Sequence, residues 1–531
     1  MSKGFGNKDR KKLQNNPGHT PLKQHQKKGT AFKSQLADLS ISQTNWERDW
    51  LPEYLWIASL RDVVPIDKLY QSYYTFMEAI GEFLEGDQLI IGLVSDFAAL
   101  APYRDQLLAK HGELIEQLFL RPFGRILAFY PNSPASWLVN QEFIERGGHL
   151  DPEVEIPRIR SLVTDLGDGR GELATAARMA SFGQIAKSGK VVPQQNLSVI
   201  ELIELLPKYP SQCSHDECKR VEGFARATLG GILSNESKYE SKEWSKYFWR
   251  HNYDLAICRP VLLPIRGAKP ASENDINQVF SVIETNVKAA RAYLENLAIQ
   301  LQYDLYTPER QEVLSGLFAR CIRLFLLIME NPPLWARDTA GIMLRCLVDT
   351  TITFCYLAEH GTEDEFESFR QHGEGQKKLL MLQLQDNHPD SMTLEGRDAS
   401  DISKELGGFS AEILQIELGH WSKKDARKLA LTAGLERYYR LVFTPTSADI
   451  HGTWTSLKDS NLGVCAEPLH RFHQIPTYAE PPLYLSTLQA AHDLLEKAYE
   501  AGVRALEFPP TLELLTLLPN DTDNVGVTEK I

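Results

Sequence analysis

Apolar positions along this chain recur at steps of three and four almost throughout, the period of an α-helix that buries one face. The longest such stripe follows Ser272 and runs through Ile276, Val279, Phe280, Ile283, Val287, Ala290, Leu294, Leu297 and Leu301. Ser272 with Asp275 has the form of a capping box, so the stripe predicts a helix of about 30 residues, roughly 45 Å long. Similar patterns predict helices over Pro65–Phe83, Asp105–Leu120 and Asp338–Glu359. A further one follows Trp421, where Ser422 and Asp425 read as cap and box. Strand signals are confined to Ile159–Val163 and Val191–Val192. The expected fold class is mainly α, with two helical domains, the second a helical bundle, and few or no strands.

Turn clusters fall at Tyr130–Pro134, Gly147–Pro152, Gly167–Gly171 and Ser188–Pro193. The stretch Leu262–Ala271, with Pro264, Gly267 and Pro270, precedes the long stripe and is the expected domain boundary. The predicted organisation is a disordered basic tail over 1–40, a helical domain over 41–265, a second over 272–515 and a frayed end over 516–531. No repeat of about 20–50 residues is evident.

Composition changes this picture little. Apolar residues at 43% and charged residues at 24% exclude a chain disordered throughout, a collagen and a disulfide miniprotein. No run reaches about 18 unbroken apolar residues, so no membrane partner is expected. Charge changes it more. Of 57 basic and 70 acidic residues, nine and one lie in 1–33, giving +8; 48 and 69 remain, giving −21. The basic tail offers contacts to nucleic-acid phosphates, while the acidic body argues against a broad nucleic-acid groove. The tail lacks the apolar core of a secretory signal. Seven scattered cysteines fit a reducing, cytoplasmic setting.

Candidate chemistry is sparse. Gly167-Asp-Gly-Arg-Gly171 lacks the lysine and hydroxyl of a phosphate-binding loop and reads as a turn. Cys213, His215 and Cys218 are the candidate metal ligands, with His251 and Cys258 downstream, although a tetrahedral zinc needs four donors and Cys-x4-Cys is a loose spacing. Two Glu-x-x-His tetrads, Glu417–His420 and Glu467–His470, have the spacing of di-metal carboxylate bundles, but Pro468 breaks the second. Arg104 and His111 match the Arg-x4–6-His spacing of certain helical nucleases at the level expected by chance. No cofactor is called for.

The strongest polar signal lies in the second helical region. Arg345 and Asp349 stand at i,i+4 in an otherwise apolar helix, so they face the same way and can pair. Burial of that helix would make an unpartnered charge costly. Downstream, Thr444 is placed to cap a helix beginning at Pro445, which would set Ser447 and His451 one turn apart on one face. A hydroxyl beside an imidazole can be activated as a nucleophile.

These residues carry a family likeness. The run His420-Trp421 through Asp425 and Arg427, then Gly434-Leu-Glu-Arg-Tyr438, then Ser447-Ala-Asp-Ile-His451 resembles the C-terminal signature of domain-of-unknown-function family 5677. That signature reads Trp-x-Gly-Lys-Ser-x-Arg, a Gly-Leu run leading to a Tyr, then Ser-x-x-x-His. Leu344-Arg345-Cys-Leu-Val-Asp349 with Tyr356-Leu357 resembles the family's upstream segment, with Asp349 in place of a Glu. The likeness covers about 310–460 and implies an all-helical domain with no established chemistry. The shorter Asp349 has less reach toward His451.

Three readings follow. The first is a cytoplasmic binding or regulatory protein, in stress or phage defence, with a polar pocket built from Arg345, Asp349, Tyr438, Ser447 and His451 and flanked by Trp421 and Arg427. The second is a metal-independent ribonuclease-type toxin. There His451 would be general acid/base, Arg345 would stabilise the phosphorane, and the tail over 1–33 would recruit nucleic acid. The third is a structural scaffold that forms a homo-oligomer through the helix 272–301. The nuclease requires Arg345 and His451 to converge in a cleft. The scaffold requires an exposed apolar face on the long helix.

Overall fold

The computed structural model describes residues 26–28, 31–33 and 46–517. Within the last range it omits 84–93, 140–149, 168–170, 188–204, 206–207, 233–238, 254–255, 266, 389, 408–412 and 509. The chain forms two units, the first comprising residues 1–259 and 465–473, the second residues 260–464 and 474–531. Both are mainly α.

In the expected tail, β1 (Gln26–Lys28) pairs antiparallel with β2 (Ala31–Lys33). The rest of 1–45 lies outside the described residues, as do the Val191–Val192 strand candidate and 518–531.

The first unit gathers α1 (Leu51–Ser59), α2 (Ile66–Gly81), α3 (Pro152–Leu166), α4 (Glu172–Lys187) and α5 (Tyr239–His251) around one core. At its centre is Trp56, fully buried, with the rings of Tyr73, Phe76, Phe97 and Phe119 at 5.1–5.6 Å. The helix expected over Asp105–Leu120 ends as an α-helix at Ile115 and widens to π-type turns over Glu116–Gly124. Pro122 is the reason: it has no N–H for the carbonyl four residues back, at Leu118. The Trp56 indole N–H donates to that Leu118 carbonyl at 3.0 Å, so the break supplies the acceptor that the buried indole needs.

The strand expected over Ile159–Val163 is instead part of α3. Asp151 caps that helix by accepting from Glu153 N–H, Pro152 takes the first turn, and Glu155, Ile159, Leu162, Val163 and Leu166 bury one face. Glu155, fully buried, is held by ion pairs from Arg125 and Arg158. Gly167 ends α3 with φ +39°, which explains a glycine there; Asp168–Arg170 lie outside the described residues.

The second unit is a helical bundle with a small sheet. Its helices are α6 (Glu273–Gln300), α7 (Glu309–Glu330), α8 (Arg337–His360), α9 (Glu363–Asn387), α10 (Thr444–Ile450) and α11 (Ser486–Leu506). The sheet runs in the order β3 (Pro260–Val261), β4 (Leu462–Cys465), β5 (Gln474–Pro476), with Leu462 opposite Pro476 and Val464 opposite Gln474.

The Ser272–Asp275 capping box forms, and Val279, Ile283, Ala290, Tyr293 and Leu297 of α6 enter the core. Ile276, Val287 and Leu294 pack against it. The stripe is therefore buried within its own unit, and Phe280 and Ile299 stand exposed far apart on the helix. Helix α8 packs against α7, α10 and α11. Among the described residues it is the one helix long and apolar enough to cross a membrane, and here it is mostly buried as a core element.

Two expected caps are corrected. Asp425, not Ser422, caps the helix Ala426–Thr432 by accepting from Lys428 N–H at 2.8 Å; Ser422 accepts from Lys424 N–H. Thr444 caps nothing, because π-type turns over Tyr439–Phe443 carry the helix into α10 without a break. Its hydroxyl donates back to the Tyr439 carbonyl.

Candidate functional site

Helices α8 and α10 share a polar seam in the second unit. The Arg345 guanidinium lies over the Phe443 ring, 3.3 Å from its centroid. Its Nε donates to Ser447 Oγ at 3.3 Å, and Nη1 pairs with Asp349 at 3.3 Å. Ser447 Oγ donates in turn to the Phe443 carbonyl at 2.9 Å. The α10 turn that holds Ser447 therefore also positions the ring beneath the guanidinium. Asp349 is 49% exposed and Arg345 only 19%, so the carboxylate is the solvent end of the pair.

Two turns earlier on α8, Arg337 Nη1 donates to Asp449 Oδ2 at 2.7 Å. The Asp449 carboxylate is fully buried. It reaches that depth because residue 341 is glycine: a Cβ there would stand 1.9 Å from Oδ2. Neither Arg337, Gly341 nor Asp449 was expected from sequence to belong to the seam. The signal available was i,i+4 and i,i+8 spacing of Arg337, Gly341 and Arg345 along one helix face.

The expected pocket residues are only partly brought together. Arg345, Asp349 and Ser447 meet. The His451 side chain is exposed and hydrogen bonds to none of the described residues; its backbone N–H alone bonds to the Ser447 carbonyl. Tyr438 is half-buried, which raises its pKa, and its charged neighbours are Asp493, Lys497 and Glu496 on α11 and the adjacent Arg437. Arg427 is exposed.

Trp421 belongs to a separate group, with its ring 5.3 Å from Phe369 and 6.4 Å from Tyr356. There Lys424 Nζ bonds to Glu365 at 3.1 Å and to the Tyr356 hydroxyl, which itself donates to Glu365 at 2.7 Å. Burial opposes the charge on Glu365, but the hydrogen bonds from Tyr356 and Lys424 prevail and hold its carboxyl below the usual range. A cleft of about 410 Å³ opens elsewhere in the unit, beside Ser368, His372, Leu414 and Glu417.

The first unit holds its own cluster. Cys213 and Cys218, candidates with His215 for a metal, turn their thiols to the carbonyls of Leu205 and Pro210, and His215 is exposed. Among the described residues those three do not converge on a metal site. Instead Cys258, Cys465, His470 and His473 bring four ligand atoms within 4.8 Å of one another. Cys258 Sγ is 3.3 Å from His470 Nδ1 and 3.3 Å from His473 Nε2; Cys465 Sγ is 3.6 Å from His470 Nδ1. Burial and the neighbouring His470 push the His473 imidazole below its ordinary pKa, which favours its neutral form. The sequence signal for this cluster was Cys465-x4-His470-x2-His473, partly hidden by reading Glu467 and His470 as one tetrad. In the structure Glu467 pairs with Arg160 at 2.9 Å instead.

The fold is thus that of a mainly α protein whose second unit is a helical bundle with a polar seam at its core helix. Residues 311–466 match the model of a family of unknown function, DUF5677, over the segment whose motifs carry the likeness. No curated protein and no solved structure matches the chain significantly.

Proposed function

We propose that this chain is a binding or regulatory protein whose second unit reads an anionic group through Arg345. The observation that carries this is the way the guanidinium is held. Phe443 lies beneath it, Ser447 holds its Nε, and the neutralising Asp349 is half-exposed. The Asp349 carboxylate is half-exposed, so water can solvate it when a ligand carboxylate or phosphate takes its place. An arginine seated over a ring and held at its Nε is already organised for recognition of an anion.

The nuclease reading has less support. General acid–base catalysis needs an imidazole oriented toward the reacting group, and among the described residues no side chain hydrogen bonds to His451 to orient it.

The test is a thermal-shift and equilibrium-dialysis panel of inorganic phosphate and nucleoside mono-, di- and triphosphates. Wild type and His451→Ala are expected to bind a member of the panel equally. Arg345→Met should weaken that binding roughly ten- to a hundredfold, the worth of a hydrogen bond to a charged group, about 1.5–3 kcal/mol. Equal binding by Arg345→Met would remove the role given to Arg345. RNA cleavage by the wild type that disappears in His451→Ala would replace this reading with catalysis.

A further inference from the structure

We infer that Cys258, Cys465, His470 and His473 form a structural zinc site in the first unit. The argument begins with geometry. Zinc bound tetrahedrally, with Zn–S near 2.3 Å and Zn–N near 2.0–2.1 Å, sets neighbouring donor atoms about 3.3–3.8 Å apart. The three thiol–imidazole separations here are 3.3, 3.3 and 3.6 Å. Each imidazole presents one ring nitrogen to the thiols: Nδ1 of His470 and Nε2 of His473.

The outer contacts support the same assignment. His470 Nε2 lies 3.2 Å from the backbone carbonyl of Asn252. A carbonyl only accepts, so Nε2 carries the proton and Nδ1 keeps its lone pair facing the sulfurs. Metal-binding histidines are commonly oriented this way. Asn252 is fully buried and its side-chain amide donates to the Phe248 carbonyl at 2.9 Å, which fixes the acceptor in turn.

The backbone closes around the cluster. Cys465 N–H donates to the His473 carbonyl at 2.8 Å, and Ala466 N–H to the Arg259 carbonyl at 3.0 Å, next to Cys258. Between the two histidines, Arg471 and Phe472 have φ of +61° and +48°. Two successive non-glycine residues in the left-handed region persist where surrounding contacts over-determine the backbone, and they fold the chain so that both rings face one point. Leu469, fully buried in the core, and the Glu467–Arg160 pair anchor the same loop.

The donor set selects the metal. Two thiolates and two neutral imidazoles in a tetrahedron suit zinc, and the two thiolates cancel its charge. Four protein donors leave no open position, so the site is structural. On binding, each thiol loses its proton to solvent and zinc accepts a lone pair from each of the four donors, with no redox change. The bound ion ties Cys258 to a loop more than 200 residues later in the chain.

The test is metal analysis of the full-length chain, purified without a polyhistidine tag, followed by cobalt exchange. Wild type is expected to carry about one zinc per chain. Its cobalt form should show the intense visible bands of a tetrahedral site and thiolate charge-transfer absorption. Cys258→Ser and His473→Ala should lose the zinc. His473→Cys should retain it, and so should Cys213→Ser and Cys218→Ser. Because a ligand variant can fail to fold, the wild type is also titrated with a mercurial, which should release the zinc in step with modification of Cys258 and Cys465, read by peptide mapping. A zinc-free wild type with reactive Cys258 and Cys465 thiols overturns the proposal in favour of a hydrogen-bonded cluster. A Cys258–Cys465 disulfide found by peptide mapping overturns it as well, and so does loss of zinc in Cys213→Ser.

Discussion

Gly341 shows how much one residue decides on α8. Its missing side chain is where the buried Asp449 carboxylate sits, held by Arg337. Alanine favours a helix over glycine by about 1 kcal/mol, yet here its Cβ would collide with Asp449 at 1.9 Å and break the ion pair. Gly341→Ala is expected to lower stability by about 1–3 kcal/mol, the usual cost of overpacking. Chemical denaturation measures it, and the double variant with Asp449→Ala should lose less than the sum of the two singles. An additive double variant would mean that the two residues do not meet. The spacing of Arg337, Gly341 and Arg345 puts them on one face of α8, but no local pattern says that Asp449, more than 100 residues later, covers it. Arg345 and Asp349, by contrast, were legible because i,i+4 neighbours meet on any helix whatever surrounds it.

At the scale of elements, capping is the local rule that transferred best, and its failures are instructive. Ser272 with Asp275 and Thr362 with Glu365 both close capping boxes, at the starts of α6 and α9. Thr444 did not cap, because a π-type turn offered the chain a continuous helical path, a choice that propensity does not register. Glu365 does two things at once: it caps α9 and receives Tyr356 and Lys424. Its carboxyl is held low in the folded state. The stabilisation it provides is complete above the unfolded-state pKa, about 4.3, and fades as pH falls through the lower folded value. Glu365→Gln should therefore lower Tm at neutral pH, and the gap to wild type should close below about pH 4. A gap that stays constant through acid would show that the charge contributes nothing. Helix α6 shows the limit of pattern reading in another way. Its stripe fixed its length and buried face, but not whether that face meets its own unit or a second copy.

At the scale of the molecule, long-range closure matters most in the first unit, where residues 465–473 join a core built otherwise from residues before 260. If a metal holds this segment to Cys258, a chelator should raise amide hydrogen exchange at 252–259 and 465–473. It should leave α6, α7 and α8 of the second unit unchanged. Equal exchange with and without chelator would mean that Leu469 and the Glu467–Arg160 pair hold the segment unaided.

The sequence by itself determined the secondary-structure class, the approximate extents of α2, α6 and α8, and the pair of side chains one turn apart on α8. All of these depend on residues within a few positions of each other, where helix geometry fixes the distances. Only the tertiary structure decided which side chains converge from afar: Trp56 on the carbonyl freed by Pro122, Asp449 in the space of Gly341, and Cys258 against His470 and His473, 212 and 215 residues away. The physical reason is that a local period specifies which face of an element is buried, while the neighbour that covers it is set by packing the whole core.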